Sequence, residues 1–255
     1  MVTAGIDVGA KTVKVVLMED GKIKAMAKVL SGFDQQASAE EALGEALKEA
    51  GLKRESIGSV VSTGIGRKAI PYAKGDVTEV RAAALGAVFL YPSARTVVDV
   101  GAEEGRAIKC DPSGKVLDFA VNEKCAAGSG AFTEAMARAL EVKLEELGPL
   151  SLQSTQTIPM NAQCTVFAES EVVSLIHSKT PKADIARAVH DGLSSRVVAM
   201  VRRVGVEPEL VLVGGVAHNP GFVESFKRTL GTDGVRTAEK PEFVGAIGAA
   251  LAAGE

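Results

Sequence analysis

IDVGAKTVKVVL (residues 6–17) and VDVGAEEGRAIK (residues 98–109) are two copies of one pattern in this 255-residue chain. Each copy reads as a buried strand that ends in Asp-Val-Gly, then a short turn, then a second strand. A repeat of this kind predicts two equivalent units of strands and helices. If the two units face each other across a cleft, their glycine turns offer two loops to one polyphosphate.

The residues that follow the first strand suit a phosphate loop. Gly9 lets the backbone come close to a phosphate, Lys11 and Thr12 can donate to it, and Asp7 can hold magnesium through water. A hairpin turn is the commoner meaning of one such segment taken alone. The second copy of the motif, at residues 99–101, favours the phosphate interpretation.

Two of the three cysteines directly precede predicted helices. Cys125 lies in NEKCAAGSGAF (residues 122–132), and Cys164 lies in NAQCTVFAESE (residues 161–171). A helix N-terminus stabilises a thiolate through its unpaired N–H groups and the positive end of the helix dipole. A lone cysteine is often only a small core side chain. Two cysteines placed alike indicate a metal ligand or a redox thiol.

The number and spacing of the cysteines restrict the kind of site. There is no CxxC pair, so neither a thioredoxin-type redox pair nor a local zinc knuckle is indicated. Iron–sulfur clusters usually take four cysteines, and two thiolates from one chain leave such a site half-ligated. The simplest completion is a second subunit that donates its own two. The sequence therefore predicts a dimer with one metal centre on its axis.

The remaining cysteine and the histidines are expected to be structural. No helix is predicted behind Cys110, so nothing activates its thiol. No metal-ligand spacing relates the histidines, which are His177, His190 and His218.

Composition excludes several classes of protein. Hydrophobic residues make up 46%, with 27 glycines and no Trp, as is typical of an α/β protein. The net charge is −3 with both signs interspersed, which does not indicate a nucleic-acid surface. No apolar run approaches the roughly 18–20 residues of a membrane helix, and the N-terminus does not read as a signal peptide. We therefore expect a cytoplasmic protein with neither nucleic-acid nor membrane partners.

Periodicity and capping residues outline the elements. A helix is expected over residues 38–51, with Ser38 as N-cap and Gly51 as its stop. Further helices are expected at residues 79–86, 182–205 and 242–253, and strands at residues 57–62, 96–100, 106–109 and 116–120. The expected domains are residues 1–92, with the C-terminal helix (residues 243–255) packed nearby, and residues 93–242, which carry the cysteine helices.

The cysteine motifs NEKCAAGSG and CTVFAESEV resemble those of the ATP-dependent activators of 2-hydroxyacyl-CoA dehydratases. The related ATPase subunits of benzoyl-CoA reductase share them, and the resemblance covers essentially the whole chain. It implies one 4Fe-4S cluster shared between two subunits, with Cys125 and Cys164 as the ligands from this chain. It also implies ATP hydrolysis that drives low-potential electrons, in anaerobic metabolism, into an enzyme acting on a CoA thioester.

The same resemblance implies the partners. The electron donor would be ferredoxin or flavodoxin, and the acceptor a dehydratase or a reductase. Whether the chain forms a homodimer, or a heterodimer with a paralogous ATPase subunit, remains open at this point. A small-molecule kinase with buried cysteines, and a cluster-bearing redox sensor gated by ATP, are the alternative functions.

The duplicated loops resemble those of actin, of the sugar and acetate kinases and of the heat-shock chaperone ATPases. This implies two RNase-H-like lobes around a nucleotide cleft, in which both loops clamp the β- and γ-phosphates of ATP with magnesium. Asp7, Asp99 and Glu103 are then the expected catalytic residues, and Glu103 falls where the activators place a glutamine near the hydrolytic water. The expected nucleotide-binding residues are Gly9, Lys11, Thr12, Gly101, Gly128, Gly130, Gly214 and Gly215.

Three of these segments are also expected to have more specific roles or relationships. The Gly214-Gly215 pair would let the adenosine lie flat, although a tight strand-to-helix turn explains it equally well. Backbone N–H groups of residues 128–130 are expected to reach towards a phosphate and to couple nucleotide and cluster; a simple N-terminal turn is the alternative. The pattern GAxxGRAIK looks closer to one of the reductase ATPase subunits than to the activators.

Overall fold

The computed structural model describes residues 1–122, 128–160 and 164–255, whose strands form two five-stranded sheets of the same design. In the first sheet the order is β3-β2-β1-β4-β5, antiparallel from β3 to β1 and parallel from β1 to β5. Its strands are β1 (Val2–Val8), β2 (Thr12–Glu19), β3 (Lys22–Leu30), β4 (Ile57–Thr63) and β5 (Gly75–Asp76).

The second sheet repeats this arrangement in the order β10-β9-β6-β7-β8. Its antiparallel strands are again consecutive in the chain, and its two parallel strands again lie together on the other side of the central strand. The strands are β6 (Thr96–Val100), β7 (Gly105–Cys110), β8 (Val116–Asn122), β9 (Leu210–Val213) and β10 (Val235–Thr237). The two equivalent units predicted from the Asp-Val-Gly repeat are therefore present.

Eight α-helices lie in the described part of the chain. They are α1 (Gln35–Ala50), α2 (Glu79–Leu90), α3 (Gly130–Ala139), α4 (Leu144–Ser151), α5 (Thr165–His177), α6 (Lys182–Val204), α7 (Pro220–Leu230) and α8 (Val244–Ala252). The helix predicted for residues 182–205 is confirmed, and Ile185, Val189, Leu193 and Val197 on one of its faces are buried in the core of the second lobe. Within the described residues no helix has the length and apolar character needed to cross a bilayer.

The predicted start of α1 was wrong. Asp34, not Ser38, is the N-cap, and its Oδ1 accepts a hydrogen bond from Ala37 N at 2.9 Å. The Ser38 hydroxyl instead donates to Asp34 O and accepts from Gly32 N, so it lies inside the first turn. The predicted stop is correct, since Gly51 ends the helix with φ of 65°.

Two helices in direct backbone contact join the sheets. A Cβ added to Gly86 of α2 would lie 2.1 Å from Val244 O, and one added to Gly248 of α8 would lie 1.8 Å from Ala82 O. The first sheet is packed just as closely, because a Cβ on Gly5 would lie 2.1 Å from Ala246 O of α8. The two helices therefore leave no room for a side chain at these positions.

This packing predicts opposite effects for the same substitution at two helical glycines. Gly248→Ala should lower the free energy of unfolding by about 1–3 kcal/mol, because the new methyl group overlaps backbone atoms. Gly44→Ala in α1 should raise it by about 0.5–1 kcal/mol, since nothing lies within 4 Å of a Cβ there. Urea denaturation measures both; equal stability of the two variants would contradict the close packing of α2 and α8.

Candidate functional site

Each sheet places an aspartate near the carboxyl end of its central strand, opposite a basic residue. Asp7 of β1 is in register with Lys14 of β2, whose Nζ lies 2.8 Å from Asp7 Oδ2. Asp99 of β6 is in register with Arg106 of β7, whose Nη1 lies 3.0 Å from Asp99 Oδ2. Sequence analysis identified the aspartates but missed their partners. The signal was present, because each basic residue follows its aspartate by seven positions.

A glycine closes the other side of each aspartate. Gly64 follows β4 with φ of 91°, and Gly214 follows β9 with φ of 85°. A Cβ on Gly64 would lie 2.5 Å from Asp7 Oδ1, and one on Gly214 would lie 2.4 Å from Asp99 Oδ1. Both the left-handed backbone and the adjacent carboxylate therefore require glycine. Gly64 is the counterpart of Gly214 that sequence analysis did not single out.

The two aspartates face one cavity of about 540 Å³ between the sheets, a volume within the usual range for small-molecule sites. Cys164 and Gly128 are not among its lining residues. The sequence-predicted residues that line it are Asp7, Gly9, Lys11, Thr12, Asp99, Gly101, Glu103, Gly130, Gly214 and Gly215.

The glycine segment before α3 makes a different contact from the one expected. Gly130 N donates to Gly101 O at 2.8 Å, and Ala131 N donates to Ala102 O at 2.7 Å. Gly128 packs against the backbone of β7, because a Cβ on Gly105 would lie 2.6 Å from Gly128 O. The first N–H groups of α3 are thus bound to the second Asp-Val-Gly loop.

Acidic side chains predominate in the cavity. Among the described residues, its lining includes eight carboxylates and four Lys or Arg: Asp7, Glu79, Asp99, Glu103, Glu104, Glu134, Glu145 and Glu242, with Lys11, Lys14, Lys28 and Arg106. Arg106 serves three of the carboxylates, since it also lies 2.5 Å from Glu104 and 3.7 Å from Glu79. Burial raises the pKa of Asp99, the Arg106 guanidinium opposes that shift, and the Asp7 carboxylate adds to it.

Glu242 connects the two sheets at the edge of the cavity. Lys28 Nζ of β3 lies 2.8 Å from Glu242 Oε1, and His218 Nε2 lies 2.6 Å from Glu242 Oε2. Burial alone would raise the pKa of Glu242, but hydrogen bonds from Lys28 and His218 lower it to about 2. The carboxylate is therefore ionised at neutral pH and links both lobes.

One wall of the cavity is built on a buried histidine. Asn219 caps α7 by accepting from Phe222 N at 3.1 Å, and its Nδ2 lies 3.0 Å from His190 Nε2. Because an amide NH₂ only donates, His190 Nε2 must be the acceptor and the ring must be neutral. Burial lowers the pKa of His190 to about 4. His190 thus has the structural role expected for it.

Two of the three cysteines lie within the described residues, and their surroundings differ. Cys164 is the N-cap of α5, as expected, and it is exposed beside the exposed side chains of Val166 and Phe167. Cys110 is buried, and burial raises its pKa to about 11, so its thiol is protonated at neutral pH. Cys125 lies outside the described residues. Within those residues no three His, Cys, Asp or Glu side chains form a metal-binding group.

Comparison with known proteins gives consistent matches over the full length. The model of the BadF/BadG/BcrA/BcrD ATPase family matches residues 4–253. The chain is 41% identical to the activator of lactoyl-CoA dehydratase from Anaerotignum propionicum, over 100% of this chain and 98% of that protein. It is 35% identical to a subunit of benzoyl-CoA reductase from Thauera aromatica, over 98% and 92% of the two chains.

Solved structures of related proteins also match the chain over nearly its full length. The activator of 2-hydroxyisocaproyl-CoA dehydratase from Clostridium difficile, with bound ADPNP, superposes with a TM-score of 0.93 at 37% identity. The superposition covers 99% of this chain and 94% of that one. A ROK hexokinase from Thermus thermophilus, at 18% identity and a TM-score of 0.53, shares the fold alone and confirms the expected sugar-kinase-like architecture.

The buried histidine predicts how stability depends on pH. The pKa of His190 is about 4 in the folded chain and about 6.5 when unfolded, so the unfolded chain binds the extra proton between these values. Lowering the pH from 6.5 to 4 should therefore cost about 2–3 kcal/mol of unfolding free energy at this site. His190→Gln should remove this part of the pH dependence, whereas His177→Gln, at an exposed position, should retain it. Identical pH profiles for the two variants would contradict the assignment.

Proposed function

The chain belongs to the BadF/BadG/BcrA/BcrD ATPase family, and on that basis we propose that it hydrolyses ATP to drive low-potential electrons into a partner enzyme. The partner acts on a CoA thioester, as a 2-hydroxyacyl-CoA dehydratase or a reductase of the benzoyl-CoA type. The observation that carries the proposal is the attachment of α3 to the cavity. Its first two N–H groups bind the loop after Asp99, and the segment that leads into the helix contains Cys125.

The cavity supplies the groups that phosphoryl transfer needs. Asp7 and Asp99 hold Mg²⁺, directly or through water, and the metal offsets the excess of carboxylates that a polyphosphate would otherwise meet. The loops at Gly9 and Gly101 approach the β- and γ-phosphates with their backbone. Glu103 lies in the second loop and orients the attacking water.

Side chains from both lobes complete the nucleotide site. Lys11 and Thr12 donate to the phosphates from the first loop. Lys14 and Arg106 pair with the partly buried aspartates at 2.8 and 3.0 Å and bring positive charge to both halves of the cavity. Gly214 and Gly215, where the second lobe turns after β9, lie against the adenosine.

The thiols fit a cluster shared by two chains. Cys164 is exposed at the N-terminus of α5, where backbone N–H groups stabilise a thiolate. Cys125 supplies the second thiolate from this chain, and a second subunit, identical or paralogous, supplies two more. A 4Fe-4S cluster bound there acts as a one-electron carrier. Val166 and Phe167 of α5 are exposed apolar side chains next to Cys164. They form the surface that the second subunit covers.

The electron donor and the cellular location follow from the same proposal. The low-potential electrons come from ferredoxin or flavodoxin, and the location is cytoplasmic. A small-molecule kinase is not favoured, because the full-length relatives are dehydratase activators and a reductase subunit.

Replacement of either cavity aspartate tests the ATPase. Asp7→Ala and Asp99→Ala should each lower the rate of Mg²⁺-dependent ATP hydrolysis at least about 100-fold, because each removes a ligand of the metal that neutralises the transferred phosphoryl group. Far-ultraviolet circular dichroism should remain that of the parent. Asp233→Ala, at an exposed position outside the cavity lining, is the matched control. Near-parental hydrolysis by both cavity variants would exclude the proposed metal site.

Iron content tests the cluster. Anaerobically purified protein should be brown, dimeric and carry four irons for each dimer. Cys164→Ser should lose the iron and the visible absorbance, because a hydroxyl is a poor ligand for the cluster. Cys110→Ala, at the buried thiol, should retain both. The shared cluster would be refuted by full iron content in Cys164→Ser or by an iron-loaded monomer.

A further inference from the structure

An ion pair between the two lobes connects the first loop to α3. Lys11 follows β1, and its Nζ donates to the carboxylate of Glu134 in the second turn of α3. Gly130, four residues earlier in the same helix, is bound to the second loop at Gly101. Helix α3 therefore contacts both loops, one through side-chain charge and the other through its backbone.

The two lysines of the first loop region differ in how firmly they are held. Lys14 has a side-chain exposure of 11% and contacts both Asp7 Oδ2 and Thr12 O, at 2.8 and 3.2 Å. Lys11 is 54% exposed, and its partner Glu134 is 21% exposed. An exposed ion pair contributes only about 0–1 kcal/mol to stability. The Lys11–Glu134 pair can therefore be exchanged for another partner at small cost.

The position of the pair identifies the competing partner. Both side chains line the cavity, together with Gly9 and Thr12 of the first loop. A polyphosphate carries more negative charge than one carboxylate and offers several oxygens to an ammonium group. A phosphate in the cavity therefore competes with Glu134 for Lys11.

We propose that Glu134 is a positioning residue that shares Lys11 with the terminal phosphates of the nucleotide. Contact of Lys11 with phosphate weakens its contact with Glu134 and so loosens α3 from the first lobe. Contact of Lys11 with Glu134 holds the helix to that lobe. Through this exchange α3, which follows the Cys125 segment, senses whether the phosphate position is filled. The inference rests on the proposed function in taking a nucleoside triphosphate as the ligand of the cavity.

A double-mutant cycle on nucleotide affinity tests the shared lysine. The probe is the Mg²⁺ complex of a non-hydrolysable ATP analogue, with binding measured by calorimetry. Glu134→Gln should tighten binding about three- to tenfold, because Lys11 no longer has a competing partner. Glu134→Asp, which keeps the charge, should stay within about twofold of the parent.

Two further variants separate the shared lysine from a general effect of charge. Glu145→Gln removes an exposed carboxylate of the same cavity from α4, and any tightening there measures the general effect. In a Lys11→Met background, Glu134→Gln should change affinity no more than Glu145→Gln does. Equal tightening by Glu134→Gln with and without Lys11 would show that the two residues act independently and would overturn the proposal.

Amide hydrogen exchange in α3 gives a second readout that does not depend on catalysis. The analogue should speed exchange over residues 130–136 in the parent, and this difference should shrink in Glu134→Gln. An unchanged difference would overturn the inference. If the nucleotide binds but the effects of the Lys11 and Glu134 substitutions on affinity simply add, the proposed ATPase stands and this role of Glu134 is excluded. If the effects of the two substitutions on affinity depend on each other but the protein does not hydrolyse ATP, the proposed function is excluded and the sharing of Lys11 is supported.

Discussion

Two partly buried carboxylates facing one cavity are the constraint on which the rest of the structure depends. Taking a carboxylate out of water is costly unless a cation and hydrogen bonds replace the lost hydration. Asp7 meets that requirement with Lys14 at 2.8 Å, and Asp99 meets it with Arg106 at 3.0 Å. Each basic partner lies on the next antiparallel strand, directly opposite its aspartate. A shift in the register of either hairpin would therefore separate the two charges.

The two halves share this plan but supply different chemistry. The first loop reads Ala-Lys-Thr after its glycine and offers donors, whereas the second reads Ala-Glu-Glu and offers acceptors. Arg106 serves three carboxylates, while Lys14 serves one carboxylate and a backbone carbonyl. The two loops therefore bring opposite charges to one cavity, as the proposed function requires of one loop that binds phosphate and another that orients water.

Much of the fold could be predicted from the sequence, because the repeat of Asp-Val-Gly and the apolar periodicity are local signals. The strands β5 and β10 were not predicted, because two or three residues are too few to show the alternation of apolar and polar side chains that marks a strand. Lys14 and Arg106 were missed because a basic residue in a strand does not indicate which carboxylate it pairs with, although their equal spacing from the aspartates was visible. The Lys11–Glu134 pair joins residues 123 positions apart, and no local pattern reports such a contact.

The link between the second loop and α3 is carried by backbone groups, and this lets the side chains of that loop vary. Gly101 O and Ala102 O accept from the first two N–H groups of α3 whatever side chains follow in the loop. A different side chain at the position of Glu103 therefore leaves the attachment of the helix unchanged. The loop pattern looks closer to a reductase ATPase, while identity over the whole chain is 41% to a dehydratase activator and 35% to the benzoyl-CoA reductase relative. Both matches run over nearly the whole chain, so the scaffold that attaches the helix does not distinguish the two kinds of partner enzyme. Under the proposed function, the choice of partner enzyme would then depend on residues outside this attachment.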